Sequence, residues 1–329
     1  MVKFTATVNL TSTLLEKIWT TVVDNGLAWI FRPLQIKRIG KAETDVRAKE
    51  IITFAQAEKH AADIKAGKKQ LLPDGTIVDA RPIDDEQEVF KALEDYQRAL
   101  VIERSLNIVK TIGYLMGDEL PSEIPVSDDV VSRDWFTHWR MHAENYSEEH
   151  YQRLWAAVLA GEVRQPGSFS TAAMNILASI SLEEARIFQQ LCNMSFNNGD
   201  RTIILLTVPG WHEPSSNYSL TGSSTTMGEQ LVDYGIEHFH LLSMRTVGLL
   251  ASLPEEEYPE WDILLGEGVD YTGRPVTLQS KVKEGRVNVI SFTEAGHQLR
   301  GLIDKNSHET YTLALHKLFE EASVVMKFV

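Results

Sequence analysis

Cysteine is nearly missing: the 329 residues hold one, Cys192. That excludes a disulfide scaffold and any zinc site built from several thiolates, and makes a reducing cytoplasm the expected setting. Long apolar runs are missing too. No uncharged apolar stretch approaches the ~18 residues that a spanning helix needs, so no transmembrane segment is expected. The opening residues, MVKFTATVNLTSTLLEKIW, lack the charged start, continuous apolar block and small-residue cleavage site of a secretory signal. Positive charge is scarce, with 32 lysines and arginines against 46 acidic residues and a net charge of -14. A chain this acidic is repelled as a whole by DNA, RNA and anionic lipid, so contact with them requires a local basic patch. Catalytic signatures are absent as well. There is no GxxxxGK[ST] phosphate loop and no GxSxG elbow, and the glycines of GEGVDYTGRP are in the wrong arrangement for a dinucleotide fingerprint. No cofactor is implied, and no internal repeat is visible.

What is present is an ordinary soluble composition, 43% hydrophobic and 24% charged. The length suits two or three domains. Apolar residues at Leu14, Leu15, Ile18, Trp19, Val22 and Val23 make one helical face, broken at Asp24-Asn25-Gly26. From Arg32 to Lys69 the chain carries 10 basic and 5 acidic residues. Ile36, Ile39, Val46, Ile51 and Ile52 give this stretch a narrow apolar stripe. It reads as a solvated helix or an oligomer seam, or alternatively as a basic surface for anionic membrane or a phosphate backbone, with Lys37, Arg38 and Lys41 as contacts. A second long helix is expected from about 85 to 116, its apolar face made by Val89, Leu93, Tyr96, Leu100, Ile108 and Ile112.

The middle of the chain is densely helical. Ser132 and Ser147 suit helix N-caps, and Gly161 suits a left-handed C-cap. Ser168 or Ser170 can start the next helix, and Ser181-Leu182-Glu183-Glu184 is a capping-box pattern. The stretch LWAAVLAGEVRQPGSFS therefore reads as a structural corner: one helix stops at Gly161, Pro166-Gly167 turns the chain, and a serine starts another helix. Further on, Ile203 to Val208 reads as a strand, and EQLVDYGIEHFHLLSMRTVGLLA as helix with a break near Gly235. VTLQSKVKEGRVNVISF reads as two strands around Lys283 to Arg286, followed directly by the helix TEAGHQLRGLI.

LLSMRTVGLL resembles the third helix and exit of a winged helix, and the paired strands that follow resemble its wing. That resemblance implies contact through Arg245, Lys281, Lys283 and Arg286. Residues 201–329 nevertheless hold 10 basic and 17 acidic residues, which favours protein contact over duplex DNA. His138 and His142, four apart in HWRMH, share a helix face, as metal-binding histidines do. Without the usual glutamate or a marked third ligand, they read as packed helix residues, and a metal-dependent hydrolase built on them is the minor alternative. Cys192 reads as a buried, inert thiol.

The combination LWAAVLAGEV-x-x-PGSFS with SLEEARIFQQLC, together with the basic RPLQIKRIGKAETDVRA, resembles a widespread bacterial family similar to the Abi-alpha (abortive infection alpha) proteins. The resemblance covers residues 30–60 and 130–195, and the C-terminal wing more loosely. Its signature positions are Trp155, Gly161, Glu162, Pro166, Gly167, Ser168 and Phe169, and it names no catalytic residue. It implies a bacterial role in phage defence or in mobile-element conflict, and the expected function is a non-enzymatic defence component acting through protein contact or self-association, membrane-surface contact or nucleic acid. The setting would be the cytoplasm, with the inner-membrane surface as a further option. A winged-helix transcriptional regulator is the alternative. The expected fold is mainly α: long helices over 1–125, a central helical bundle over 126–194 and a winged-helix-like α+β domain over 195–329.

Overall fold

The structure, a computed structural model, describes residues 12–27, 57, 59–72, 75–79, 86–115, 126–209, 217–219, 229–251, 261–265, 267–281, 287–303 and 306–329. They form two compact units, Thr7–Ser168 and Phe169–Val329. The boundary falls inside the span 126–194 that the sequence groups as one bundle. The protein is mainly helical with a small antiparallel sheet.

In the first unit, α1 (Ser12–Val22) buries Leu14, Ile18 and Val22, one residue per turn on a single face. Gly26, at φ 84, breaks the turn that follows. A short hairpin pairs β1 (Lys69–Leu71) with β2 (Ile77–Asp79), Gln70 opposite Val78. Then comes α2 (Glu86–Tyr114), 29 residues and so about 43 Å long. Its C-terminal half is embedded, with Leu106, Asn107, Ile108, Thr111 and Ile112 buried. It packs there on α3 (Arg133–Ala143) and α4 (Glu149–Arg164), and α1 packs on α4. From Leu154 to Ala160 every residue of α4 is buried, which makes it the central helix of this unit.

Several buried polar groups in this core are paired, although Thr111 Oγ1 has no hydrogen-bond partner among the described residues. Trp139 Nε1 donates to the Trp155 carbonyl at 2.9 Å. Gln152 donates to the Tyr146 carbonyl at 2.9 Å and to Asn107 Oδ1 at 3.3 Å, and Asn107 donates to the Glu144 carbonyl at 2.9 Å. Each bond avoids the ~1–3 kcal/mol cost of an orphaned buried group.

Three local expectations are corrected here. Ser132 takes the N-cap position of α3 without a side-chain cap bond, and α4 has Glu148, not Ser147, at its N-cap. Gly161 does not end its helix: α4 continues to Arg164. The apolar face continues to Val163, fully buried, and its burial outweighs the ~1 kcal/mol that a helical glycine costs relative to alanine. The left-handed residue is Gly167, at φ 95. Pro166-Gly167 turns the chain with the Ser168 amide donating to the Gln165 carbonyl at 3.1 Å, as in a type II turn.

The second unit opens with two capped helices. Ser170 caps α5 (Thr171–Ser179), accepting from the Ala173 amide at 3.1 Å. Ser181 caps α6 (Leu182–Cys192) in a complete capping box with Glu184. An antiparallel hairpin follows, β3 (Ser195–Asn197) with β4 (Thr202–Leu205). The expected strand over Ile203–Val208 splits at Leu206, because β5 (Thr207–Pro209) leaves to pair with β6 (Asn217–Ser219) in a separate sheet. After the predicted break, where Gly235 has φ 81, α7 (His238–Val247) ends at Gly248, φ 91.

The remaining elements are β7 (Asp270–Tyr271), β8 (Arg274–Gln279), β9 (Val289–Ser291), α8 (Glu294–Arg300), α9 (Glu309–Glu321) and β10 (Val325–Phe328). The main sheet runs β10-β8-β7-β3-β4-β9, each pairing antiparallel. The two strands expected to pair with each other, β8 and β9, do not. β8 pairs with β7 and β10, and β9 pairs with β4. The reason is local: Thr272 and Gly273 both have positive φ, 51 and 83, which makes the two-residue type I′ turn that favours a tight β7–β8 hairpin.

Candidate functional site

The basic residues singled out from sequence divide into two sets. Lys37, Arg38, Lys41, Lys283 and Arg286 lie outside the described residues. Lys281 is exposed just after β8. Arg245 is half-buried in the last turn of α7, its Nε buried without a hydrogen bond. α7 presents Phe239, 58% exposed, and Leu242, 56% exposed, to solvent beside His238 and Thr246.

A larger apolar surface lies on α2. Its N-terminal half exposes Val89, Phe90, Leu93 and Tyr96, and Val101 and Ile102 just past the midpoint are exposed too, with Phe90 63% and Val101 62% exposed. One flank of this half is covered, since Ala99 packs with Ala61, Ile64 and Leu71. Lys65 pairs with Glu103 at 3.0 Å beside that contact. The sequence assigns Val89, Leu93 and Tyr96 to the same core face as Ile108 and Ile112. The latter two are buried, but the former three are exposed, because packing against α3 and α4 reaches only the C-terminal half.

A third cluster is aromatic. On α3, His138 and His142 bring their Nε2 atoms within 3.4 Å. The His142 ring stacks on Trp155 of α4 at 5.2 Å and 8°, and the His138 ring meets His142 edge-on at 5.0 Å. Tyr146 stacks on Trp155 at 6.0 Å and packs on Tyr151 at 5.0 Å. Burial, with Tyr151 beside it, raises the Tyr146 hydroxyl above its ordinary range. The spacing of the two histidines is readable in the sequence, but the tryptophan that orients them comes from another helix. Among the described residues no group of three or more His, Cys, Asp or Glu converges, so the third ligand that a metal hydrolase needs is not among them.

The signature positions build a corner. Trp155 is buried, and the buried Glu162 carboxylate accepts the Gly167 amide at 2.8 Å. Ser168 Oγ donates to the Gln165 carbonyl at 2.6 Å, and Phe169 is buried. These contacts shape backbone. None of them presents a nucleophile or a proton donor to open space.

Buried polar groups in the second unit are also structural. Arg300, 2% exposed, donates to Ser195 Oγ at 2.9 Å and pairs with Asp270. Tyr311 donates to the Leu205 carbonyl at 2.6 Å, and burial raises its hydroxyl well above its ordinary range. Tyr271 lies 2.7 Å from Thr312 Oγ1 and is pushed up to about 12, chiefly by burial. Cys192 is buried. An apolar recess lined by Leu177, Ile180, Phe188, Leu299 and Ile303 carries no polar lining to act on a ligand. No helix is long and apolar enough to cross a membrane among the described residues.

No curated protein and no solved structure matches the chain. A family model described as "Protein of unknown function (DUF2806)" matches residues 98–316. That span covers α2 from Arg98 onward through most of α9, and the chain belongs to this family.

Proposed function

We propose that this chain is a non-enzymatic interaction protein that assembles with a second copy of itself through the exposed face of α2, and that it serves in bacterial phage defence of the abortive-infection type. The observation that carries the reading is the N-terminal half of α2, where Val89, Leu93 and Tyr96 are exposed along one side of the helix, with Phe90 exposed beside them. Isolated exposed apolar residues are ordinary, whereas a contiguous set marks a contact surface. Val89, Leu93, Tyr96 and Leu100 follow one another at intervals of four, three and four residues, the heptad spacing that a like helix fills. Lys91 and Arg98 sit on the helix side away from that seam. The acidic first half of α2 has its charge complement in the basic stretch 32–69, so two copies offer each other opposite charge. The defence setting rests on the sequence resemblance alone.

The test is sedimentation of wild type and Leu93→Glu at tens of micromolar protein. The expected result is a wild-type dimer or larger assembly, and a monomeric variant with an unchanged melting temperature. A wild type that sediments as a monomer rejects the assembly. In parallel, bacteria expressing the wild type should give fewer phage plaques than bacteria expressing Leu93→Glu or the charge reversal of Lys37, Arg38 and Lys41. Equal counts reject self-sufficient defence.

A winged-helix regulator is the second reading. It is supported by α7 with its left-handed Gly248 exit, and by the antiparallel bridge from Leu250 to Phe292 beside the β9–β4 pair. In this form Leu250, just after α7, bridges Phe292, just after β9, and β7 and β8 lie between them in the chain. The apolar exposure of Phe239 and Leu242 favours a protein surface over DNA. Salt-dependent duplex binding that weakens on neutralising Lys281, Lys283 and Arg286 would favour regulation; no binding at low salt would reject it.

A further inference from the structure

We infer that His138 and His142 form a bidentate site for a borderline divalent transition ion of the zinc, nickel or copper class. Three observations carry this. The first is the bite. Two imidazole nitrogens each ~2.0–2.1 Å from a tetrahedral zinc stand about 3.3 Å apart, and the two Nε2 atoms stand 3.4 Å apart. The pair is already close to chelating separation, so ion binding requires a small ring adjustment and no change of backbone. The second is orientation. One turn of α3 places both side chains on one face, and the stack of His142 on Trp155 at 8° fixes the plane of one ring. Trp155 is itself 1% exposed, and its carbonyl is held by Trp139. Support from outside the ligand pair of this kind sets ligand geometry at metal sites. The third is access, since both histidines are half-buried, neither sealed in the core nor lost to solvent.

The chemistry selects the ion class. Neutral imidazole suits zinc, copper and nickel, while calcium and magnesium demand oxygen ligands. Two imidazoles fill only part of a zinc coordination sphere, and no third His, Cys, Asp or Glu converges on them among the described residues. A two-histidine site of this kind exchanges its ion more readily than a four-ligand structural centre. An occupied site ties one turn of α3 together over the core tryptophan of α4, so binding stabilises the first unit by mass action.

The test uses the full chain without an affinity tag, stripped with chelator. Zinc(II) is titrated against a competing colorimetric indicator at pH 7.5 and pH 5.5, with thermal melting followed in parallel. The expected result is one equivalent bound per chain at pH 7.5 with a raised melting temperature, and loss of both at pH 5.5, because the ligands must be neutral. His138→Gln and His142→Gln should each abolish the bound equivalent and the shift, and His150→Gln should keep both. Circular dichroism in chelator verifies folding; should His142→Gln lose its helical signal, His138→Gln decides alone. A wild type that binds no zinc at fifty micromolar, or binding that survives His138→Gln, overturns the assignment. Calcium in place of zinc should produce neither signal.

Discussion

Glu162 holds Gly167 across the turn that closes α4: its carboxylate, on a residue 3% exposed, accepts the glycine amide at 2.8 Å. Glu162→Ala should cost about 1–2 kcal/mol, since it removes the carboxyl's bond to the Gly167 amide and its own packing under the turn. Gly167→Ala should cost about 1 kcal/mol from backbone strain alone at φ 95, because open space surrounds the added methyl. Urea unfolding of both variants measures this. Equal losses for the two would mean that the carboxylate contributes nothing beyond the shape of the turn.

Gly296 presents the opposite case. Its φ is ordinary, but a methyl there would collide with the Leu249 carbonyl. Thr293 closes the same junction, taking the Gly296 amide at 3.0 Å on Oγ1 while its own amide donates to the Leu249 carbonyl at 3.1 Å. Gly296→Ala should destabilise the second unit by at least about 3 kcal/mol, several times the loss at Gly167. A melting temperature within two degrees of wild type would contradict this.

Ser181 and Glu184 form a charge-dependent cap. Hydrogen bonds from the Ser181 side chain and backbone hold the Glu184 carboxyl below its ordinary range, and Ser243 adds to this. A lowered folded value contributes stability above the ordinary carboxylate range, which is lost as pH falls through the folded value. Ser181→Ala should cost about 1 kcal/mol at neutral pH. The gap between variant and wild type should shrink as pH drops from about 5 to about 3. A gap independent of pH would rule out the carboxylate's share.

The buried tyrosines set the alkaline limit. Tyr271 is pushed up to about 12 and Tyr311 is raised well above its ordinary range, both chiefly by burial. Raised folded values mean that stability is intact below the ordinary tyrosine value of about 10 and is lost as pH climbs toward 12 and beyond. Tyr271→Phe should lose about 1 kcal/mol at neutral pH with its Thr312 bond, yet show a shallower loss between pH 10 and 12. Absorbance of tyrosinate against pH, beside circular dichroism, reads both. Full tyrosine ionisation while the fold persists would refute the coupling.

The parts of this fold readable in the sequence are those decided within a few residues. The caps at Ser170 and Ser181, the break at Gly235 and the exit at Gly248 all follow from local backbone chemistry. Gly161 misleads because a helix end is decided by whether burial continues beyond it, and Val163 is buried. On α2, the sequence assigns Val89 and Ile108 to one face, but 19 residues at 3.6 per turn put them about 100° apart, so the face does not persist along the helix. The β7–β8 hairpin had a signal in Thr272-Gly273, weaker than the usual Asn-Gly pair. Among candidate residues, the spacing of His138 and His142 is visible in the sequence. Their alignment on Trp155 crosses from α3 to α4, and one-dimensional spacing does not carry it.

The order of the main sheet has a consequence for how the second unit comes into being. The β3–β4 hairpin forms from neighbours, but its two outer edges are covered by β7 and β9. Phe196 meets Tyr271, and Ile204 meets Ile290, so the covering strands come roughly 75 and 85 positions later in the chain. Closing loops of that length costs entropy before any contact repays it, and topologies of this kind fold slowly. During synthesis, at some 5–20 residues per second, the buried-to-be strand β4, with Ile203, Ile204 and Leu205, has one edge without its partner for several seconds. A helper that shields strand edges would act in that interval, and a truncation before β9 would leave the same edge open to pairing with other chains.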